Sequence, residues 1–276
     1  MIGNLLLRGM IAGMLAALLT FGFAQIFGEP PIEAAIAIES QGDTQTADMQ
    51  TASTPEAHDH ATPGAHDHSA HDHGAQAAGG HDHGGGEGFS RSTQSGLGLL
   101  TGLVVFGAAI GGVFAVTFAV LHGRLGPSSP LALSILLGLA GFTVLALVPG
   151  LKYPANPPAV GLGETIGIRT TLFFAMVAAS VASAMIALYA AKALGATQGK
   201  TRATVIALAL FAGLIGVAGL VLPSYNEVPA SFPDDVLLHF RLASLGTRAV
   251  LWLGIGAIFG LAADRMLRSA PRPIAG

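Results

Sequence analysis

The chain has 276 residues, 51% of them hydrophobic and 11% charged, against about 25% charged in ordinary soluble domains. A mean hydropathy of +0.62 excludes a surface solvated all round and predicts an all-α, polytopic membrane helix bundle. The absence of cysteine removes disulfides, thiolate metal ligands and thiol nucleophiles together, and the formal net charge of −3 conceals an uneven distribution that sets orientation.

Six apolar stretches approach the roughly 20 residues a bilayer requires. They lie at 5–27, 97–121, 131–148, 168–190, 203–222 and 247–263. The third and sixth are shortest, so five spans compete with six. The first is too long for a bare secretory h-region, lacks a clear A-x-A site and has Arg8 as its early charge, so it reads as a retained span. With the amino terminus placed in the cytoplasm, the cytoplasmic segments hold Arg8, Arg124, Lys192, Lys200, Arg202, Arg265, Arg268 and Arg272, against the single acid Asp264. The other side holds Arg91, Lys152, Arg169, Arg241 and Arg248 with fifteen acids. The positive-inside rule favours this arrangement. Both termini are then cytoplasmic, and 29–96 is extracytoplasmic, which means periplasmic for a bacterial inner-membrane protein.

The chain divides into a first span (1–28), the loop 29–96, and a five-helix remainder (97–276) with Pro-rich outer loops at 149–167 and 223–246. Residues 29–39, EPPIEAAIAIE, suit a short amphipathic helix at the membrane surface. Residues 40–96 carry almost no large apolar side chains, so burial cannot offset chain entropy, and disorder is expected in the metal-free state. Further on, the third and fifth spans each end at a proline: LVPGLKYP around Pro149 and Tyr153, LVLPSYNEVP around Pro223 and Tyr225. Each leads to G-x-R-x-x-L at the head of a returning span, with Arg169 in one and Arg248 in the other. Two related hairpins are implied, with the first two spans as a diverged third.

Eight of the ten histidines stand in four HDH triplets: His58 and His60, His66 and His68, His71 and His73, His81 and His83. The other two are His122 and His239. Neutral imidazole suits Zn, Ni, Co and Cu, and the intervening Asp59, Asp67, Asp72 and Asp82 can add an oxygen ligand or orient a ring. Flexible spacers fix no geometry, so the chemistry is loose capture with little selectivity; an inert or pH-responsive linker is the plainer alternative. The spans are nearly free of charge, so polar marks of an ion path are sought at the outer mouths. One mouth offers Lys152, Tyr153, Asn156, Glu164 and Arg169; the other offers Tyr225, Asn226, Glu227, Asp234, Asp235, His239, Arg241 and Arg248. Glu164, Glu227, Asp234, Asp235 and His239 could form an outer site for Co²⁺ or Ni²⁺, with Arg169 and Arg248 pairing with these acids or with lipid headgroups. Interfacial solvated charge is the bland reading of each.

Met10 and Met14 on the first span, and Met176 and Met185 on the fourth, fit either core packing or a thioether path for copper(I). The pairs Gly98 and Gly102, Gly107 and Gly111, and Gly256 and Gly260 mark close helix contacts. No P-loop, H-E-x-x-H or G-x-S-x-G motif occurs, and no basic patch suggests nucleic acid. The expectation is a protein that is not an enzyme, with no tightly bound cofactor and a divalent metal as captured or transported ion.

The opening NLLLRGMIAGMLAALLTFGFAQIFGEPPIEAAIAIE, the stretch LVPGLKYPANPPAVG with TIGIRTTLFF, and the late LPSYNEVPASFPDDVLLHFRLASLGTRAVLW resemble the CbtA subunit of predicted bacterial cobalt transporters. With the His-rich insert, the resemblance covers essentially the whole chain. It implies a five- or six-span inner-membrane protein in cobalamin-linked cobalt uptake, working with a small single-span His-rich partner subunit. It marks 152–161 and 223–248 as signature regions. Nickel or zinc in place of cobalt, a non-transporting partner that delivers metal to another channel, and homo-oligomerisation stay open.

Overall fold

The computed structural model describes residues 2–52, 90–124 and 129–268. All four HDH triplets lie outside the described residues. Among the described residues six helices are long and apolar enough to cross a membrane, one more than the five-span alternative allows. Helix α1 is continuous over Ile2–Phe23, a π-helical turn Ala24–Gly28, and Glu29–Ala52. Helix α2 comprises Arg91–Thr93, a π turn Gln94–Gly98, and Leu99–Leu121; α3 comprises Pro130–Phe142, a π turn Thr143–Leu147, and Val148–Lys152. Then follow α4 (Ile166–Gln198), α5 (Lys200–Val221) and α6 (Asp234–Arg268).

The first helix corrects two expectations. Residues 29–39 continue it instead of forming a separate surface helix, and helix extends through 40–52 and again from Arg91, inside the stretch expected to be disordered. A proline ring clashes with the carbonyl four residues earlier, so Pro30 and Pro31 would ordinarily break a regular α-helix here. The π turn just before them widens the helix, the Glu29 N–H reaching back to the Ala24 carbonyl, and lets the chain pass. Pro149 follows the same device, with the Val148 N–H on the Thr143 carbonyl. The amphipathic character of 29–39 is real, but its apolar stripe faces protein: Ala35 is buried with Val160, Phe232 and Leu237, and Ile38 packs beside them.

In space the helices follow the order α2, α1, α6, α3, α4, α5. The core is shared by the first four: Ala12, Ala16 and Ala17 of α1, Phe114 and Phe118 of α2, Leu133 of α3, and Leu251, Ile255 and Phe259 of α6. Phe259 meets Phe114 and Phe118 edge-on at 5.6 and 5.1 Å between ring centres, the arrangement aromatic quadrupoles favour. Small residues set the close approaches. Gly107 and Gly111 lie directly on Gly13 and Gly9 of α1, and Gly256 and Gly260 lie on Ser134 and Gly138 of α3. Gly102 faces open space, so the expected contact there is absent. The buried Ser134 hydroxyl donates to the Gly256 carbonyl at 2.7 Å.

Helices α4 and α5 form a side hairpin that turns on Gly199 alone, at φ +80°, a conformation that suits glycine. It meets the body where α4 contacts Thr143–Lys152 of α3. Toward the opposite end a groove of about 850 Å³ opens between α3, α4 and α5, lined by Leu136, Leu188 and Phe211 among others and bordered by Lys192 and Lys200. On α4, Met176 is buried while Met185 faces outward, so these two do not form one thioether row.

The last helix begins at Asp234, well before the apolar stretch at 247, so Asp234, Asp235, His239, Arg241 and Arg248 are helical. The Pro233 carbonyl accepts from Leu237 N–H, and Asp234 and Asp235 place negative charge in the first turn, where the helix dipole welcomes it.

Candidate functional site

The two Pro-rich segments, 153–165 and 222–233, meet at one end of the bundle and are tied across. Tyr153 Oη donates to the Pro223 carbonyl at 2.7 Å, Lys152 Nζ donates to Ser224 Oγ at 2.6 Å, and the Leu162 N–H donates to Glu227 Oε2 at 3.0 Å. Burial, together with neighbouring Tyr225, raises the Tyr153 hydroxyl above its ordinary pKa and keeps it a neutral donor.

Between these segments and the heads of α4 and α6 lies a cavity of about 270 Å³. Its polar lining comprises Arg169, Arg241, Arg248, Glu227, Tyr153 and Tyr225, with Asn156, Asn226 and Thr170 completing it. The repeat seen in the sequence thus has a structural meaning: its matched tyrosines, Tyr153 and Tyr225, and its matched arginines, Arg169 and Arg248, converge on one chamber.

Each arginine is held differently. Arg169 Nε is 3.4 Å from Glu227 Oε2, the two side chains being 25% and 10% exposed. Its guanidinium lies over Gly161, at φ +107°, where an added Cβ would stand 2.8 Å from Nη1, so only glycine admits this approach. Arg241 Nη2 reaches Asn156 Oδ1 at 3.5 Å. Arg248 sits 5.9 Å from the centre of the Phe173 ring, a cation–π contact. The Arg241 Nε is buried with no hydrogen-bond acceptor, and the Arg169 Nε has only its 3.4 Å approach to Glu227. The Thr165 hydroxyl, the Leu162 N–H and Arg169 together hold the Glu227 carboxyl below the usual carboxylate range.

The structure separates the residues of the expected outer metal site. Glu227 belongs to the arginine-lined cavity. Asp235 and His239 line a different pocket, of about 580 Å³, against Phe23, Phe27, Pro30 and Ala34 of α1. Glu164 is exposed in the 3₁₀ turn Gly163–Thr165, and Asp234 is exposed at the head of α6. Among the described residues no three His, Asp or Glu side chains are grouped to hold a metal ion. His239 Nδ1 lies 2.7 Å from the Asp235 carbonyl. A carbonyl can only accept, so Nδ1 is the donor in this contact. The Arg241 Nε without an acceptor and the Arg248 contact with Phe173 were not legible from spacing; the repeated G-x-R signature was the available signal.

No curated protein matches the chain, and no solved structure does. One family model, described as "Probable cobalt transporter subunit (CbtA)", matches residues 2–264, from the first turn of α1 nearly to the end of α6. With six apolar helices and paired Pro-rich mouths inside that match, the chain belongs to the CbtA family of probable cobalt transporter subunits.

Proposed function

We propose that the chain is a bacterial inner-membrane transporter subunit for a divalent transition metal, serving cobalt uptake linked to cobalamin synthesis. The observation that carries this is the family match, which spans all six membrane helices. Charge asymmetry supports cytoplasmic termini and a periplasmic connection between α1 and α2. The HDH triplets on that connection supply imidazole where incoming metal is first met, and their role is capture at scarce metal. A small single-span His-rich membrane subunit is the expected partner.

The test is ⁵⁷Co²⁺ flux into proteoliposomes holding the full chain, with and without such a subunit, and with ⁶³Ni²⁺ and ⁶⁵Zn²⁺ as competitors. Cobalt flux should exceed that of empty vesicles. Deleting residues 57–84 should raise the metal concentration for half-maximal uptake while leaving the maximum nearly unchanged. Flux equal to empty vesicles under every combination refutes the transporter reading.

A second reading has a specific observation behind it. A mouth with three arginines and one carboxylate repels a bare dication. That favours a subunit that gathers metal at the periplasmic face and passes it to another channel. Metal binding by the intact chain without flux, and loss of that binding on deleting 57–84, is the outcome expected of it.

A further inference from the structure

We infer that the cavity between the two Pro-rich mouths is a binding site for an oxyanion, a carboxylate or phosphate group held by Arg169, Arg241 and Arg248. The inference goes beyond the transport reading and does not depend on it.

Charge is the first argument. Among the described residues the lining contributes three guanidinium groups and one carboxylate, Glu227. Glu227 is already committed to Arg169 and the Leu162 N–H. Two positive charges therefore face a common chamber without a counter-charge, a costly arrangement wherever water is restricted. Donor geometry is the second. A guanidinium presents forked N–H groups that match the two oxygens of a carboxylate or phosphate. The Nε–H group of Arg241 is buried and lacks an acceptor, and that of Arg169 has only the long approach to Glu227, whereas buried donors are ordinarily satisfied. Arg241 has one long contact, 3.5 Å to Asn156, which leaves its fork available. Shape is the third. A chamber of about 270 Å³, walled by Tyr153, Phe173 and Tyr225, admits a small polycarboxylic acid or one phosphate-bearing headgroup.

The same chemistry has two sources. A soluble metal-chelating acid would allow the dication to pass this mouth as an anionic complex, its charge inverted by the ligand. An anionic lipid would instead seat its headgroup between the hairpins.

The experiment uses the full chain in neutral detergent, stripped of lipid and held at constant ionic strength with chloride. Thermal unfolding is followed while inorganic phosphate, citrate or dioctanoyl phosphatidylglycerol is titrated, with dioctanoyl phosphatidylcholine as the zwitterionic control. At least one oxyanion should raise the unfolding midpoint saturably. Arg241→Gln should weaken that binding about tenfold or more, and Arg241→Lys less, because a lysine keeps charge but loses the fork. Arg248→Gln should weaken it likewise; Arg241→Gln carries the test alone if that variant does not fold. Saturation by phosphate or citrate assigns a soluble oxyanion, whereas a response confined to phosphatidylglycerol assigns a headgroup. No saturable shift beyond chloride for any of the three, or unchanged affinity in Arg241→Gln, overturns the inference. So does Co²⁺ alone binding in the chamber with loss on Glu227→Gln.

Discussion

Replacing Gly111 by alanine tests the α1–α2 seam directly. A Cβ there would overlap the Gly9 carbonyl oxygen and stand 2.9 Å from its carbon and 3.0 Å from Gly13 Cα. These neighbours are backbone, so they cannot turn aside. Carbon–oxygen contacts between close helices settle at about 3.3–3.6 Å, which forces α1 and α2 apart by on the order of 1 Å. A gap of that size forfeits a quarter to a half of each contact's roughly 0.1–0.2 kcal/mol. Over on the order of forty atom pairs along the seam the loss is about 2 kcal/mol, inside the range of roughly 1–3 for overpacked sites. The control is Gly102→Ala on the same helix, where nothing lies within 4 Å; it should stay within about 0.5 kcal/mol of the parent. Unfolding by dodecyl sulfate titration suits the measurement, because helices persist in that denatured state and intrinsic propensity largely cancels. The single tryptophan, Trp252, packs against Gly141 of α3 and reports loss of tertiary structure by its emission. Equal stability of Gly111→Ala and Gly102→Ala would refute the seam as described.

Ser134→Ala removes the buried hydroxyl on the Gly256 carbonyl and should cost about 0.6 kcal/mol, up to roughly 1.7, in the same titration. Tyr153→Phe unties one mouth segment from the other and should cost about 0.5–1.5 kcal/mol, with faster amide exchange around Pro223 as the local readout. Glu227 has its carboxyl held below the ordinary 4.5, so its stabilising contribution is complete above that pH and disappears as pH falls through the depressed folded value. Thermal midpoints between pH 3 and 6 should therefore fall more steeply for the parent than for Glu227→Gln; parallel curves would contradict the pairing with Arg169.

Because a bilayer demands a length of apolar helix that few other structures need, hydropathy alone marked an apolar stretch in each of the six membrane-length helices, though the shortness of two left five spans competing with six. Their ends were harder. Pro30 and Pro31 hid the continuation of α1 because a π turn absorbs their steric demand, and no sequence signal specifies such a turn. The head of α6 was hidden because Asp234, Asp235, His239 and Arg241 are polar, while its true support is the contact of Leu237 with Phe232, Val160 and Ala35. For the candidate site, the repeated Tyr and G-x-R elements were visible and their convergence was not. Sequence proximity grouped Glu227 with His239, but the turn of α6 sends His239 toward Phe23 and Phe27 of α1, away from Glu227. The pairing expected of Arg169 with an acid is present with Glu227, while Arg248 rests on Phe173.

The side hairpin of α4 and α5 is pinned to the body beside the mouth and stands off where the groove opens, so it has the mechanics of a lever with its fulcrum at the arginine chamber. Helix α4 has 33 residues and is about 50 Å long. A rotation of roughly 5° about the pinned end therefore carries the Gly199 turn through about 4 Å. Spin labels at Leu136→Cys and Leu188→Cys, placed in a chain that has no other cysteine, would measure a rotation of that size across the groove.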